Sequence, residues 1–91
     1  MSNFISITAI ATKDNRKEKF IMNISKPIIS DHDCFCEIEA PLLFKGIKSI
    51  HGADNDQAKE LSIAFVKKMV NYSNWKLTHI VGENADLLMR D

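Results

Sequence analysis

The chain has little of several residue types that mark special classes of protein. Its 91 residues include two cysteines, three glycines and two prolines. These counts exclude a disulfide-rich scaffold, a collagen-like repeat and a flexible Gly/Pro-rich linker. The two cysteines, Cys34 and Cys36, lie two positions apart on one predicted strand, which is a poor geometry for a bond between them. We therefore expect both thiols to be reduced.

Long apolar runs and an excess of one charge are missing as well. No run approaches the roughly 18–20 apolar residues that a membrane-spanning helix needs, and the first residues lack the basic start of a signal peptide. Twelve basic and twelve acidic side chains give a net charge of zero. Nothing in this balance favours direct binding to nucleic acid. We expect a cytoplasmic protein that contacts neither nucleic acid nor a membrane.

The residues that are present indicate one globular domain over 1–91. The hydrophobic fraction is 45% and the charged fraction 26%, which are ordinary values for a folded domain. Apolar residues alternate with polar ones in several short runs, the period of a half-buried strand. This alternation predicts strands over 4–12, 18–25, 33–40, 42–50 and 75–81. The residues that share the apolar parity are Ile5, Ile7, Ala9 and Ala11 in the first strand, Phe20, Met22 and Ile24 in the second, and Trp75, Leu77, His79 and Val81 in the last. Residues 28–33 are predicted as a connector, and residues 86–90 as a final helical turn or a tail.

One helix is predicted over 54–73. Asp54 and Gln57 have the spacing of a capping box, in which each side chain accepts a hydrogen bond from a backbone amide at the helix start. The apolar face is predicted from residues that recur every three or four positions, namely Ala58, Leu61, Ser62, Phe65, Met69 and Tyr72. The predicted fold is α+β: an antiparallel sheet of four to five strands in meander order, with this long amphipathic helix on one face.

The predicted strand at 33–40 has two chemically different faces. Cys34, Cys36 and Ile38 share one parity and are predicted to face the helix. The other side of this region carries the candidate partner-binding residues Asp31, Asp33, Phe35, Glu37 and Glu39. An aromatic residue among acidic ones is typical of recognition surfaces, whereas catalytic carboxylate pairs normally come from different elements around a cleft. The alternative is a solvated acidic face without a partner.

The edge of the predicted helix supplies a second candidate surface. Ile63 and Val70 lie seven positions apart beside the apolar stripe, with Lys67 between them. They widen the stripe beyond what one sheet face needs, so they are predicted as partner-binding residues. The alternative is that loops or the C-terminal segment cover them.

No catalytic, phosphate-binding or cofactor-binding motif is present, so we predict a protein without catalytic residues, cofactor or metal. The run around His32, Cys34 and Cys36 contains metal-ligand residue types, but zinc sites usually combine two ligand clusters and the second is missing. The alternative interpretation is a small metal-dependent or cysteine-dependent enzyme that uses these three residues.

The run Gly52-x-Asp54-x-x-Gln57-Ala58-x-x-Leu61-Ser62-Ile63 resembles a family of small uncharacterised bacterial domains found among toxin-immunity proteins. In that family a Gly-x-Asp turn after a strand leads into a Gln-Ala helix start. The resemblance implies an immunity protein that binds a cognate toxin domain of a contact-dependent or polymorphic toxin system. It supplies no catalytic residues.

The functional prediction is thus a non-enzymatic protein that neutralises one toxin domain, such as a nuclease, by occlusion. Such a protein would be a monomer or a weak homodimer. The alternative from a different class is a homodimeric structural module, paired through an edge strand or through Ile63 and Val70.

Overall fold

A computed structural model describes residues 3–89 of the chain and contains one antiparallel sheet, one long helix and one short helix. Met1, Ser2, Arg90 and Asp91 lie outside the described residues, so the ends of the predicted domain and of the predicted C-terminal turn fall there. The elements are β1 Asn3–Lys13, β2 Arg16–Ser25, β3 Ile28–Ser30, β4 Asp33–Glu39, β5 Ile47–Gly52, α1 Asn55–Ser73, β6 Lys76–Glu83 and α2 Asp86–Met89.

The sheet confirms the predicted α+β fold, with six strands rather than four to five. β1, β2, β4 and β5 follow one another as a meander, and α1 then carries the chain back to the other edge, where β6 pairs with β1. The sixth strand is β3, in the stretch predicted as a connector. β2 and β3 pair with the same β4 strand on either side of Lys26 and Pro27, so they are two parts of one interrupted strand. Proline cannot donate a ladder hydrogen bond, which explains the interruption.

Two tight turns fix the register of two hairpins in the sheet. Asp14 and Asn15 join β1 to β2 with φ values of 48° and 67°, and Asp31 and His32 join β3 to β4 with φ values of 46° and 68°. Two consecutive residues with positive φ form the type I′ turn, whose twist matches that of a hairpin. In a hairpin the turn type fixes which residues pair.

The core lies between the sheet and α1. The predicted inward faces of the strands that became β1, β2 and β4 are confirmed, because every one of these side chains is at most 8% exposed. They are Ile5, Ile7, Ala9, Ala11, Phe20, Met22, Ile24, Cys34, Cys36 and Ile38.

Both ends of α1 agree with the sequence prediction. The carboxylate of Asp54 accepts a hydrogen bond from the amide of Gln57 at 2.8 Å. The Gln57 side chain accepts one from the amide of Ala53 at 2.6 Å, one residue before the amide expected in a capping box. Asn74 ends the helix in the left-handed conformation with φ 62°, which asparagine adopts more readily than most residues.

The predicted apolar face of α1 is wrong in part. Leu61 is 43% exposed and Tyr72 is 75% exposed, whereas the buried line runs through Ala58, Ser62 and Val66. The reason is close approach to the sheet. A Cβ atom on Gly52 would lie 2.8 Å from the Cα of Ala58, so the helix backbone rests on β5 where only small side chains fit.

β6 also departs from its predicted pattern. His79 has φ 54°, and the pairing between β1 and β6 shifts register at this point. This bulge reverses the alternation along the strand. Trp75 and Leu77 face inward as predicted, but beyond the bulge Ile80 packs against the core while His79 and Val81 are exposed.

The segments next to β5 and after β6 complete the core on the helix side. Leu42, Leu43 and Phe44 form a turn that packs against the core, and β5 begins only at Ile47, five residues after the predicted start. Leu87 and Leu88 of α2 pack on the same side. Within residues 3–89 no helix is both long and apolar enough to cross a membrane.

Candidate functional site

The predicted acidic residues of β4 share the face of the sheet opposite α1. The burial of β4 alternates along its length, with Cys34, Cys36 and Ile38 inside. We define the acidic strand surface as the four outward residues of this strand, Asp33, Phe35, Glu37 and Glu39. Asp31 lies outside it, in the turn before β4.

This acidic strand surface belongs to a larger open face. Between residues 3 and 89, both helices and the 40–46 turn pack on the other side of the sheet. Side chains here therefore meet solvent, where a partner can reach them. Successive outward residues on one strand are about 7 Å apart, so the three carboxylates form one row of negative charge.

His51 of β5 is the main neighbour that sequence reasoning missed. Its Nδ1 atom lies 2.9 Å from the carboxylate of Asp33, and its ring centroid is 5.2 Å from that of Phe35. The two strands pair Phe35 with His51, and only this register brings the rings together. The imidazole therefore holds Asp33 and Phe35 in place at one end of the acidic strand surface.

The other end of the surface is positioned by backbone and hydroxyl contacts. The Ser25 hydroxyl accepts a hydrogen bond from the amide of Glu37 at 2.8 Å, which replaces the ladder bond lost where β2 and β3 separate. Glu39 pairs with Asn23, whose side chain accepts a hydrogen bond from the Ser6 hydroxyl at 2.7 Å. These contacts fix the backbone from which the side chains of Glu37 and Glu39 project.

The open face continues across β2, β1 and β6 with a different chemistry. Strand pairing places Ile21, Thr8 and Val81 side by side in one row. The row nearest the β1–β2 turn brings together Lys17, Thr12 and Lys76. We define the basic half of the open face by its lysine and apolar members, namely Lys17, Lys19, Lys76, Ile10, Ile21 and Val81.

The β1–β2 turn beside the basic half is anchored by an aromatic residue. The side chains of Lys13 and Arg16 lie over the ring of Trp75, at 5.4 Å and 5.5 Å from its centroid. Such cation–π contacts favour Arg and Lys over Trp. They attach the end of the hairpin to the start of β6, so the basic half is an ordered surface.

The predicted helix-edge residues lie in the other layer of the domain. Ile63 and Val70 are half-buried and pack against the core. Ile63 and Lys67 border an open depression of about 550 Å³ between α1, Phe4 and Leu87 of α2. The C-terminal segment therefore covers part of this edge, and the edge and the acidic strand surface cannot form one continuous interface.

The residues of the enzyme alternative are divided between two environments. Cys36 is fully buried, and burial raises the pKa of its thiol, although the Ser62 hydroxyl lowers this pKa in part. The Cys34 thiol donates a hydrogen bond to Asn55 at 3.1 Å. His32 is exposed in a turn, on the rim of an open depression of about 630 Å³ that Cys34 also borders. Within residues 3–89 no three His, Cys, Asp or Glu side chains converge as a metal ion would require.

No family model matches the chain, and neither a curated protein nor a solved structure matches it.

Proposed function

We propose that this protein is a cytoplasmic immunity protein that binds the toxin domain of a contact-dependent or polymorphic toxin system and neutralises it by occlusion. The observation that carries the proposal is the acidic strand surface, where three carboxylates and Phe35 form one row on an open sheet face. The helix-start resemblance at Gly52–Ile63 supplies the class of partner.

The chemistry of this surface suits a toxin with a basic substrate site, such as a nuclease. Nucleases that bind phosphate use lysine and arginine, and a row of carboxylates complements such a site. Opposite charges steer diffusing proteins together and raise the association rate. Phe35, held against His51, offers an aromatic anchor of the kind that dominates the binding energy in many interfaces.

The test uses the variable C-terminal domain of a secreted protein encoded beside this chain, which is where the resemblance places the toxin. We expect the two proteins to co-purify and the toxin activity to be lost in the complex. Reversing two charges with Glu37→Lys and Glu39→Lys should lower the association rate by about tenfold or more at low salt. Surface plasmon resonance measures that rate.

A matched control reverses two exposed glutamates outside the acidic strand surface, with Glu18→Lys and Glu60→Lys. This control changes the net charge by the same amount as the first variant. It should associate with the toxin at least about five times faster than the first variant, because it keeps the acidic strand surface. Equal rates for the two variants would reject the acidic strand surface as the interface. The helix edge at Ile63, Lys67 and Val70 would then be the surface to mutate.

A further inference from the structure

The open face is chemically divided along its length. The basic half carries Lys17, Lys19 and Lys76, and the acidic strand surface at the other end carries Asp33, Glu37 and Glu39. The two groups are equal in number, three lysines against three carboxylates, and Glu83 adds a further carboxylate in the row that Ser6, Asn23 and Glu39 form across the face. This division follows from the shape of the sheet, because β4 pairs with only the last residues of β2 and so extends beyond β1 and β6.

Both ends of the face also carry exposed or half-exposed apolar side chains. In the basic half, Ile10 is 38%, Ile21 41% and Val81 61% exposed. At the acidic end, Phe35 is flanked by Ile28, its partner on β3, and Ile47 pairs with Glu39. Antiparallel sheets commonly leave one face to solvent, and that face is normally polar. Large apolar residues at both ends therefore indicate a contact surface.

We propose that the open face joins two copies of this chain, with the basic half of each copy packed against the acidic strand surface of the other. A two-fold axis that lies between the two sheets, perpendicular to their long direction, exchanges the two ends of the face. The lysines of each basic half then meet the carboxylates of the other copy, and its apolar residues meet Phe35. Interfaces of two-fold dimers require such self-complementarity. The inference depends on the open face alone and does not need the proposed function.

The dimensions of the domain suit this packing. Two sheets pack face to face about 10 Å apart, with aligned strands, in β-sandwiches. A stable interface buries roughly 800 Å² on each partner, and the longer Cα extents of 46 Å and 25 Å accommodate a patch of that size.

Sedimentation velocity on the full chain, from low micromolar to near-millimolar concentration, tests the inference. We expect the mass to rise from 10.3 kDa to twice that value, and high salt to favour the monomer because screening weakens the lysine–carboxylate contacts. A chain that stays monomeric throughout would overturn the inference.

Charge reversal identifies the surface. The variant Lys17→Glu with Lys19→Glu has two acidic ends, and the variant Glu37→Lys with Glu39→Lys has two basic ends. Each should dimerise at least tenfold more weakly than the wild type. The matched control, Lys45→Glu with Lys68→Glu, changes exposed lysines outside the strands and should dimerise like the wild type.

Mixing the two variants separates loss of the interface from loss of the fold. Each end of one variant is complementary to each end of the other, so the mixture should form a heterodimer at concentrations where each variant alone is monomeric. An unfolded variant could not regain binding in this way. Variants that dimerise like the wild type, or a mixture that stays monomeric, would overturn the proposed interface.

Discussion

The hydroxyl of Ser62 is a buried polar group in the centre of the core. Its oxygen is fully buried on the line of α1 that rests on the sheet, and no nitrogen or oxygen atom of residues 3–89 is hydrogen-bonded to it. It faces the thiol of Cys36 closely enough to lower the pKa of that group. Sulfur is a weak hydrogen-bond partner, so the Cys36 thiol compensates little for the water that the hydroxyl loses on burial. A buried polar group without a partner costs about 1–3 kcal/mol.

The substitution Ser62→Ala should therefore stabilise the domain. It removes the unpaired hydroxyl and adds up to about 0.5 kcal/mol of helix propensity. The oxygen leaves a small void whose cost, about 0.5–1 kcal/mol, offsets part of the gain. The expected net effect is about 1 kcal/mol, which raises the melting temperature of a domain of this size by about 4–8 °C. Urea unfolding followed by circular dichroism measures the free energy.

The same helix offers a matched control in Ser73. This hydroxyl donates a hydrogen bond to the carbonyl of Val70 at 2.7 Å and accepts one from the amide of Trp75 at 3.3 Å. Ser73→Ala removes both bonds and should destabilise the domain by about 1–2 kcal/mol. The two Ser→Ala changes should thus have opposite signs. If Ser62→Ala destabilises the domain as much as Ser73→Ala does, the Ser62 hydroxyl has a real partner in the Cys36 sulfur.

Two further predictions concern the contact of α1 with the sheet. Gly52→Ala places a methyl group against the backbone of Ala58 and should lower the free energy of unfolding by about 1–3 kcal/mol. Gly46 lies in open space with φ 73°, so Gly46→Ala should lower the free energy of unfolding by about 1–2 kcal/mol, for its left-handed backbone alone. A larger loss for Gly46→Ala than for Gly52→Ala in urea unfolding would contradict the close approach of α1 to β5. Burial raises the pKa of Cys36, so in alkaline solution the folded state keeps a proton that the unfolded state loses. The stability of the domain is therefore unaffected by the ionisation of this thiol below the ordinary pKa of 9.0, and it decreases as the pH rises from there through the higher pKa of the folded state. The urea midpoint of Cys36→Ala should fall less steeply than that of the wild type in this alkaline range, and parallel curves would refute the assignment.

β1, β2 and β4 were predictable because each buries one face. Alternation at Ile5 and Ile7, and again at Cys34 and Cys36, depends only on the period of two, and it gave the correct inward side each time. The same parity placed Phe35 and Glu37 together on the opposite face. Their neighbour His51 was not predictable, because a partner across two strands depends on the register between β4 and β5, which no local pattern records.

The errors arose where backbone geometry overrides the apolar pattern. Hydrophobic spacing favoured Leu61 and Tyr72 as core residues, yet the small side chains of Ala58 and Ser62 let α1 approach β5 and turn the larger ones outward. In β6, the left-handed His79 reverses the alternation, and histidine is not a residue that signals a bulge. Size and backbone conformation decided both cases, and neither is visible as periodicity.

The two proposals use the same carboxylates, so on one copy of the chain they exclude each other. A copy whose Glu37 and Glu39 face the lysines of a second copy cannot present them to a toxin, and the toxin must bind the monomer or displace the second copy. The two experiments nevertheless separate the proposals. Lys17→Glu with Lys19→Glu should weaken the dimer at least tenfold but leaves the acidic strand surface intact, so this variant should bind the toxin at least as fast as the wild type. If one acidic surface serves both contacts, Glu37→Lys with Glu39→Lys should weaken both toxin binding and dimerisation. Lys17→Glu with Lys19→Glu should weaken dimerisation alone.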